Sequence, residues 1–414
     1  MRPGLVVIGG SYAGLYTVAA AREHGWSEPI HLVTEEPWLP YERPPLSKSF
    51  LLDDTLAQPP ALRGTAFYEQ HEVQTRTGTR VVDVDPGART VELSDGTRLP
   101  YRRLALATGA TARRLALAGG DLPGVHTLRS LADAHTVRQR LSRVEDVVIL
   151  GAGFIGMELA SALAATGRRV TVLEAADRVM ARALGPVVAN WLHTRHHAHG
   201  VRILPCTTAT ALLAGPGGVC AVRTTTGEVI AAQLVIVGVG ASVPTEVAQS
   251  AGVAVRGGVL VDASMRTNVP GIVAAGDCTV HPNAYAAQPI RLESVQNATD
   301  QGRVAGATVA GVAAALGSVP WFWSDQCGVK LQLAGLWRPG LHEAIRGQVD
   351  EGRFSVVYLD DEDTVTAVHS VNRPGEHMLG RRLVAGRIRL PAAVVADPST
   401  DLKALLAPAI SGAS

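Results

Sequence analysis

The sequence is poor in lysine and carries almost no excess charge. Lysine occurs at only three of the 414 positions, Lys48, Lys330 and Lys403, so nearly all basic charge comes from arginine. Lysine and arginine together number 38 and aspartate and glutamate 37, which leaves a formal net charge of +1. This balance argues against a nucleic-acid-binding protein, which normally carries a basic stripe, and against a polybasic membrane anchor.

Cysteine is also scarce, and none occurs before position 206. The cysteines are Cys206, Cys220, Cys278 and Cys327. They form no C-x-x-C pair and no metal-ligand spacing, so the pattern excludes a disulfide scaffold and favours free thiols in the cytoplasm. Arg2 leads directly into a short strand pattern, so we expect no signal peptide.

One stretch without charge, Val304 to Ser324, is long enough to cross a membrane. Its many alanine and glycine residues give weak hydropathy, and Pro320 interrupts it. Membrane insertion needs more strongly apolar residues, so we predict a buried helix here and no membrane association.

The N-terminus has the pattern of a βαβ unit. The apolar residues Leu5 to Ile8 are followed by a glycine-rich turn over 9–14, a helical run that ends near Gly25, and a second apolar strand, Ile30 to Val33. Glu35 follows that strand, about 20 positions past the glycines, as a dinucleotide-binding fingerprint requires.

The same pattern recurs in the middle of the chain. Its parts are the strand Val147–Leu150, the turn Gly151-Ala152-Gly153-Phe154-Ile155-Gly156, a helix through Ala165, and the strand Val170–Leu173 with Glu174 at its end. Gly151 allows the tight turn, Gly153 lets the backbone approach a pyrophosphate, and Gly156 lets the helix pack on the strand. The helix N-terminus then faces the phosphates with unpaired N–H groups.

The residue type at position 174 favours NADH over NADPH. The carboxylate of Glu174 can accept hydrogen bonds from both ribose hydroxyls and would repel a 2′-phosphate, and Ala175 and Ala176 supply no cation. A chance glycine turn is the alternative, but here the turn has its strand, its helix and its acid.

The first fingerprint departs from the pattern at its second glycine, which is Ser11. An ordinary glycine-rich turn is the alternative, against which stand Gly14 in the third slot and Glu35. Gly-x-Ser-x-Ala over 9–13 also resembles a nucleophile elbow, but the final glycine is missing and no Asp and His follow in support. We therefore predict a second nucleotide site, with FAD at the first fingerprint and a nicotinamide cofactor at the second.

Two further strands end at small-residue turns, where open α/β sheets place ligands. Leu104–Ala107 runs into Thr108-Gly109, and Ile272–Ala275 runs into Gly276-Asp277. From Pro320 onward the pattern is that of a smaller antiparallel sheet with one helix. We predict an α/β fold with an FAD-binding domain over 1–110 and 241–319, an NAD-binding domain over 111–240, and a smaller α+β domain over 320–414.

With these motifs the chain resembles the FAD-dependent, NADH-using ferredoxin reductases of bacterial oxygenase systems, the putidaredoxin and rubredoxin reductase type. The resemblance covers nearly the whole length. It rests on the strings Tyr41-Glu42-Arg43-Pro44-Pro45-Leu46-Ser47-Lys48, Ala107-Thr108-Gly109, Gly151 to Glu158, Gly276-Asp277-Cys278, Glu293-Ser294-Val295-Gln296-Asn297-Ala298 and Trp321-Phe322-Trp323-Ser324-Asp325-Gln326.

The resemblance implies the cofactor contacts. The residues it places on FAD are Gly9, Ser11, Tyr12, Ala13, Gly14, Glu35, Arg43, Lys48, Val81, Ala107, Thr108, Gly109, Arg129, Gly276, Asp277, Glu293, Ser294, Val295 and Trp323. Those it places on NADH are Gly151, Gly153, Phe154, Ile155, Gly156, Glu158, Glu174 and Gly240. Asp277 would hydrogen-bond the ribityl chain, and the helix that begins at Val295 would face the flavin O2 edge and stabilise negative charge there.

Lys48 would lie near the flavin N5, with Glu158 as its ion-pair partner, and both are our candidate catalytic residues. The alternative for Lys48 is a solvated surface lysine, although two prolines stiffen its loop. The alternative for Trp323 is a core tryptophan of the third domain.

No cysteine lies near Lys48, whereas disulfide reductases of this fold carry a redox cysteine pair near the N-terminus. Electrons would therefore leave the flavin directly, to a small iron–sulfur ferredoxin that serves a cytochrome P450 or another oxygenase. Cys327-Gly328 and the arginine-poor segment 283–289 depart from the relatives near the expected partner face.

Two other functions and one other site remain open on the sequence. The chain fits an NADH oxidase or a quinone or monodehydroascorbate reductase, and also an NADH-sensing flavoprotein of the apoptosis-inducing-factor type. A histidine group, His193, His196, His197 and His199, falls at a helix end. No carboxylate completes a zinc motif there, so we predict a solvated helix and no metal.

Overall fold

The computed structural model describes residues 2–53 and 55–406. Met1 and the last eight residues of the predicted third domain, 407–414, lie outside the described residues, as does position 54. The strands are β1 Gly4–Ile8, β2 Ile30–Val33, β3 Val73–Arg76, β4 Val81–Asp85, β5 Thr90–Leu93, β6 Arg98–Leu106, β7 Thr111–Ala112, β8 Val125–His126, β9 Asp146–Leu150, β10 Arg169–Leu173, β11 Val201–Leu204, β12 Ala209–Gly215, β13 Gly218–Thr224, β14 Val229–Ala231, β15 Leu234–Val237, β16 Ala241–Ser242, β17 Val259–Leu260, β18 Ile272–Ala274, β19 Thr279–Val280, β20 Trp321–Gln326, β21 Val329–Gly335, β22 His342–Gln348, β23 Arg353–Leu359 and β24 Val365–Val371.

The helices are α1 Tyr12–Glu23, α2 Ser49–Leu52, α3 Thr65–Gln70, α4 Leu131–Leu141, α5 Phe154–Ala164, α6 Pro186–Ala198, α7 Glu246–Ser250, α8 Val295–Val309, α9 Pro374–Ala385 and α10 Ala392–Ala396. Short 3-10 helices cover Pro44–Ser47 and Ala404–Leu406. The predicted helix over 304–324 is wrong beyond Val309, where α8 ends; the chain then runs irregularly into β20. Pro320 stands at that transition, where a helix could not continue.

The chain forms two compact units. The first comprises 1–42, 59–111 and 242–318, and the second comprises 43–58, 112–241 and 319–414. The segment 43–58, which the sequence prediction counted with the FAD-binding domain, thus groups with the second unit. The three-domain division stays a prediction.

The first unit is built on a sheet of order β3-β2-β1-β6-β5-β4. β3, β2, β1 and β6 are parallel, β18 joins the last residues of β6 in parallel, and β4–β5–β6 form an antiparallel meander. All five residues of β1 are buried, as expected for a central parallel strand that is covered on both faces. The helices α1 and α8 pack against each other in this unit.

In its described residues, the second unit contains three sheets. A parallel sheet of order β11-β10-β9-β15-β8 carries the second glycine turn after β9, and a three-stranded antiparallel sheet, β12-β13-β14, follows it. The C-terminal segment forms an antiparallel sheet of order β20-β21-β24-β23-β22, on which α9 packs. The two sheets with parallel strands after which the glycine turns follow, and the smaller C-terminal α+β part, confirm the predicted fold class.

Candidate active site

In the first unit, the glycine turn after β1 has the geometry of a phosphate-binding loop. Gly9 has a φ of +120°, and a Cβ there would lie 2.0 Å from the Ala107 carbonyl oxygen. A Cβ on Gly14 would lie 1.9 Å from the Gly9 oxygen, so only glycine lets α1 pack this close to the turn. Ser11 is the N-cap of α1 in extended backbone, which any residue adopts, so the departure from glycine causes no backbone strain.

The turn after β18 lies directly against this loop. Gly276 has a φ of +89°, and a Cβ there would lie 2.8 Å from the Cβ of Ala13. Asp277 follows Gly276 and is half-buried. The structure therefore brings the Gly276-Asp277 turn next to Ala13, and the FAD assignment of both stays a prediction.

Other predicted FAD residues of the first unit lie at the ends of its strands. Glu35 is exposed just past β2, Val81 is buried at the start of β4, and Thr108-Gly109 follow β6. Cys278 is fully buried with its Sγ 3.3 Å from the Ala275 oxygen, and burial raises the pKa of its thiol to about 11. This cysteine is therefore an unreactive thiol, since the thiolate is the nucleophile.

The helix α8 begins with a capped N-terminus at the predicted flavin segment. The Oγ of Ser294 accepts a hydrogen bond from the Asn297 N–H at 3.0 Å, which fixes the first turn. Glu293 forms an ion pair with Arg291 at 2.6 Å, and Val295 is half-buried. The positive end of the α8 dipole therefore lies at Val295 and can stabilise negative charge there.

In the second unit, the turn after β9 shows which of its glycines the fold itself requires. Gly151 has a φ of +104°, and a Cβ there would lie 2.5 Å from the Gly238 oxygen; a Cβ on Gly156 would lie 2.1 Å from the Gly151 oxygen. Gly153 has ordinary backbone angles, and apart from its chain neighbours no atom of the described residues lies within 4 Å of its would-be Cβ. Protein packing therefore does not explain why residue 153 is glycine. A pyrophosphate bound in this space would explain it, because a side chain would then clash with the phosphates. The loop thus fits a dinucleotide.

Glu174 braces this loop. Its Oε2 accepts from the Ala152 N–H at 2.6 Å and its Oε1 from the Ala176 N–H at 2.8 Å. A carboxylate has about four acceptor positions, so both oxygens can still accept from ribose hydroxyls. Gly240, the last predicted NADH residue, has a φ of +105° and accepts from the Arg113 N–H at 3.0 Å.

The two arginines predicted for the FAD chain meet in the second unit. The Nη1 of Arg43 donates to the Arg129 carbonyl oxygen at 3.0 Å. Arg129 in turn precedes α4, whose start is fixed by a capping box between Ser130 and Asp133. The sequence distance between these arginines is large, so the pairing supports their common assignment.

Lys48 and Glu158 form the predicted ion pair. The Lys48 Nζ lies 2.6 Å from the Glu158 Oε2; the lysine side chain is 24% exposed and the glutamate 6%. The 3-10 helix Pro44–Ser47 ends at Lys48 and presents it to α5, which carries Glu158. The alternative of a solvated surface lysine is wrong.

Two serine hydroxyls complete the surroundings of Glu158. Ser47 Oγ donates to its Oε2 at 2.6 Å, and Ser324 Oγ, on β20, donates to its Oε1 at 2.6 Å. The Nε2 of Gln326 donates to Ser324 Oγ at 3.0 Å, and Gln326 Oε1 lies 2.7 Å from His196 Nε2. A buried chain of side chains thus ends on the Glu158 carboxylate, with every donor directed toward it.

This buried hydrogen-bond network shows that the prediction of a solvated histidine group is wrong for His196. His196 is fully buried against Gln326, and burial lowers its pKa to about 4, so it is neutral at physiological pH. His197 and His199 are exposed, as expected for the solvent side of α6. Within residues 2–53 and 55–406, no cluster of three metal-ligand side chains occurs.

Trp323 belongs to an aromatic group in the second unit. Its ring lies 5.6 Å from Trp321 and 6.3 Å from Phe322, whose ring is 4.5 Å from Phe154 on α5. Trp323 is half-buried, so the C-terminal sheet holds it without enclosing it. Ile155, beside Phe154, is 42% exposed and open to a ligand.

The sequence does not show that one site contains Ser47, Ser324, Gln326 and His196. The two serines and Gln326 lie in sequence strings on which the family resemblance rests, but their neighbours in sequence do not show that they connect to one carboxylate. Gln301, a fully buried amide on α8, was also missed. Its only signal in the sequence is that a glutamine stands among alanine and glycine residues on the same face of the helix.

Comparison with known proteins gives matches along almost the whole chain. The pyridine nucleotide-disulphide oxidoreductase family matches residues 3–302, and the reductase C-terminal family matches residues 321–406. Rhodocoxin reductase of Rhodococcus erythropolis is 41% identical over 404 residues, which cover 97% of this chain and 94% of the relative.

Two solved structures are similar over their full length. The ferredoxin reductase for the CYP199A2 system of Rhodopseudomonas palustris matches with a TM-score of 0.94 at 36% identity, covering 97% of this chain and all of that one. The reductase in the covalent putidaredoxin reductase–putidaredoxin complex matches with a TM-score of 0.93 at 33% identity, covering 99% of both chains. Among the helices of the described residues, none has the length and apolar character to span a bilayer.

Proposed function

The chain belongs to the pyridine nucleotide-disulphide oxidoreductase family, and we propose that it is an NADH-dependent flavoprotein ferredoxin reductase. FAD, when bound, takes two electrons from NADH and returns them singly to an iron–sulfur ferredoxin, which serves a cytochrome P450 or another oxygenase. The observation that carries this proposal is the similarity, over 97% or more of this chain, to reductases named for such electron-transfer partners.

The chain's cysteines support direct transfer from flavin to ferredoxin. All four are free thiols, and Cys278 and Cys327 are buried. Burial raises the pKa of both thiols, so neither supplies a thiolate at neutral pH. Because no cysteine occurs before position 206, the chain also lacks the redox cysteine pair that disulfide reductases of this fold carry near the N-terminus, which disfavours a disulfide reductase.

In this proposal the first unit binds FAD. The turn Gly9–Gly14 and the N-terminus of α1 receive the pyrophosphate, as helix N-termini do. Asp277 holds the ribityl chain, and the N-terminus of α8 at Val295 stabilises negative charge on the flavin.

The second unit binds NADH and supports the transfer. Gly153 leaves room for the pyrophosphate, and Glu174 selects NADH by accepting from the ribose and repelling a 2′-phosphate. Glu158 holds Lys48 in one position, and no side chain acts as an acid or base. Catalysis is then positioning and exclusion of water.

The alternatives have weaker support. An NADH oxidase, a quinone or monodehydroascorbate reductase and an NADH-sensing flavoprotein share the fold, but the relatives reported above are named as reductases of electron-transfer proteins. We also propose that the protein works in the cytoplasm, where free thiols such as exposed Cys206 and Cys220 persist.

The test is steady-state turnover of the purified, FAD-loaded protein with NADH and a panel of [2Fe–2S] ferredoxins, followed by cytochrome c reduction. We expect ferredoxin-dependent rates far above oxygen consumption without a partner. Oxygen consumption that equals the ferredoxin-dependent rate with every ferredoxin would favour an oxidase instead.

A further inference from the structure

The amide of Gln301 lies at the centre of the first unit and joins two segments that the FAD proposal uses. It stands on α8 and is fully buried. Its Oε1 lies 2.7 Å from the Gly276 N, to which it is hydrogen-bonded, and 2.8 Å from the Thr279 Oγ1. A single side chain of α8 therefore holds the turn that carries Asp277.

The opposite side of the same amide is also satisfied. Its Nε2 lies 3.0 Å from the Nδ1 of His281 and 3.3 Å from the Oδ1 of Asn297. Because a backbone N–H can only donate, Gly276 fixes Oε1 as the acceptor end, and Nε2 must donate. His281 must then accept through an unprotonated Nδ1.

The burial of His281 agrees with a neutral ring, and its other ring nitrogen, Nε2, lies 3.4 Å from the Asn283 Nδ2. The histidine is fully buried, and burial lowers its pKa to about 4, so its neutral form is present at physiological pH. Asn297, one turn before Gln301 on α8, donates from Nδ2 to the Leu292 oxygen at 3.1 Å. The network thus extends from the Gly276 turn through α8 to the chain segment that leads into its N-terminus.

The same helix is also fixed to the first glycine turn. A Cβ on Gly302 would lie 2.6 Å from the Ala13 oxygen, and a Cβ on Gly306 would lie 2.5 Å from the Thr17 oxygen, so α8 packs on α1 at backbone distance. Three pieces that the proposed function assigns to FAD are therefore joined through one helix: the α1 N-terminus, the Asp277 turn and the α8 N-terminus.

We propose that Gln301 is the positioning residue that locks the Asp277 turn to the N-terminus of α8, so that the ribityl contact and the helix dipole meet FAD in a fixed relative position. This inference rests on the proposed function, because it takes Asp277 and the α8 N-terminus as FAD contacts. Gln301 itself acts through its neighbours. Dipoles stabilise a charge most strongly when they are already in position and need no reorganisation. Removing the hydrogen bonds of Gln301 therefore weakens FAD binding and reduces the electrostatic stabilisation of the reduced flavin.

The test compares FAD binding by stripped full-length protein with the spectrum and midpoint potential of the reloaded protein. Gln301→Leu should raise the Kd for FAD about tenfold or more, which corresponds to about 1.4 kcal/mol. It should also make the flavin potential more negative, because the α8 dipole no longer faces the reduced flavin in register. Thr279→Val, a change of similar shape, removes one contact to Gln301 and one to the Gly276 oxygen, and it should shift both quantities in the same direction by less.

Two further variants separate positioning from general damage. His281→Asn offers an acceptor oxygen close to the place of Nδ1 and should bind FAD nearly as the wild type does, whereas His281→Leu should behave like Gln301→Leu. Thr308→Val removes the hydrogen bond from α8 to the Ser264 oxygen at 2.8 Å, at the other end of the helix. It should leave the Kd and the flavin potential unchanged.

The outcomes distinguish the inference from the function beneath it. If stripped wild-type protein does not rebind FAD, the proposed function fails. If the wild type rebinds FAD but Gln301→Leu and Thr279→Val retain its Kd, spectrum and potential, the positioning role of Gln301 is wrong. If Thr308→Val changes these quantities as much as Gln301→Leu does, the effect belongs to α8 as a whole and the inference is again overturned.

Discussion

Removing the Glu158 carboxylate should destabilise the protein in proportion to the donors left without an acceptor. Ser47 and Ser324 each donate to Glu158 at 2.6 Å and are almost fully buried, at 6% and 0% exposure. An unsatisfied buried hydroxyl costs about 1–3 kcal/mol, so Glu158→Ala should lower the free energy of unfolding by about 4 kcal/mol. Lys48 is 24% exposed and can hydrate, so its lost ion pair adds little.

The conservative variant gives a second, smaller value. Glu158→Gln keeps one acceptor oxygen and places an amide where the other stood, so about half of the donors keep a partner. The expected loss is about 2 kcal/mol. Urea unfolding of the full-length protein, followed by tryptophan fluorescence, measures both values, because Trp321 and Trp323 lie on the strand that carries Ser324.

A surface glutamate provides the matched control. Glu92 pairs with Arg98 at 2.8 Å, but their side chains are 37% and 71% exposed. Glu92→Ala should therefore cost less than about 1 kcal/mol. If Glu158→Ala and Glu158→Gln each cost no more than this control, the Glu158 carboxylate does not hold the buried hydroxyls and the argument fails.

Five other substitutions test separate parts of the account. Gly153→Ala should leave thermal stability unchanged and raise the KM for NADH in steady-state kinetics, because its Cβ meets no protein atom, whereas Gly151→Ala should lower the melting temperature; equal stability losses would contradict this. Glu174→Gln should narrow the preference for NADH over NADPH, as the ratio of the two kcat/KM values, by removing the charge that repels a 2′-phosphate; an unchanged ratio would remove that role. Lys48→Ala should slow NADH-driven bleaching of the flavin in stopped flow, and an unchanged rate would exclude Lys48 from the reaction. Burial lowers the pKa of His369 to about 3, so its contribution to stability is complete above about pH 6.5 and is lost as the pH falls toward 3; His369→Phe should flatten this loss by up to about 1.4 kcal/mol per pH unit in urea unfolding across that range, and an identical slope would contradict it.

The two βαβ units could be predicted because their signals are local. The strand at 30–33 was predicted with its observed bounds, and α1 and α5 end within two residues of the expected positions. Central parallel strands are continuous apolar runs, and a glycine turn after such a run has few other uses. Short segments of the sequence are therefore sufficient to predict the fold of both dinucleotide sites.

The polar interior could not be predicted, because its partners are far apart in sequence. His196 was expected to be solvated because no carboxylate completes a metal motif in its histidine group, yet it is buried against Gln326 of β20, 130 residues later. Ser324 reaches Glu158 across a separation of 166 residues. Side-chain hydrogen bonds of this range leave no periodic signal, so only the folded structure reveals them.

The helix expected beyond Val309 was wrong for a related reason. The absence of charge over 304–324 was taken as a sign of one buried element, but the stretch contains the end of α8, an irregular connection and the first four residues of β20. Apolar content measures burial and does not distinguish a helix from a strand over short lengths.

The most direct test of the central claim is an anaerobic titration of the purified protein, first with NADH and then, in a fresh sample, with NADPH, followed by visible spectra. The account predicts a yellow protein that NADH bleaches at far lower concentration than NADPH does. A colourless protein that cannot be reconstituted with FAD would contradict the assignment of the first unit. A yellow protein that NADPH bleaches equally well would contradict the role of Glu174 in the second.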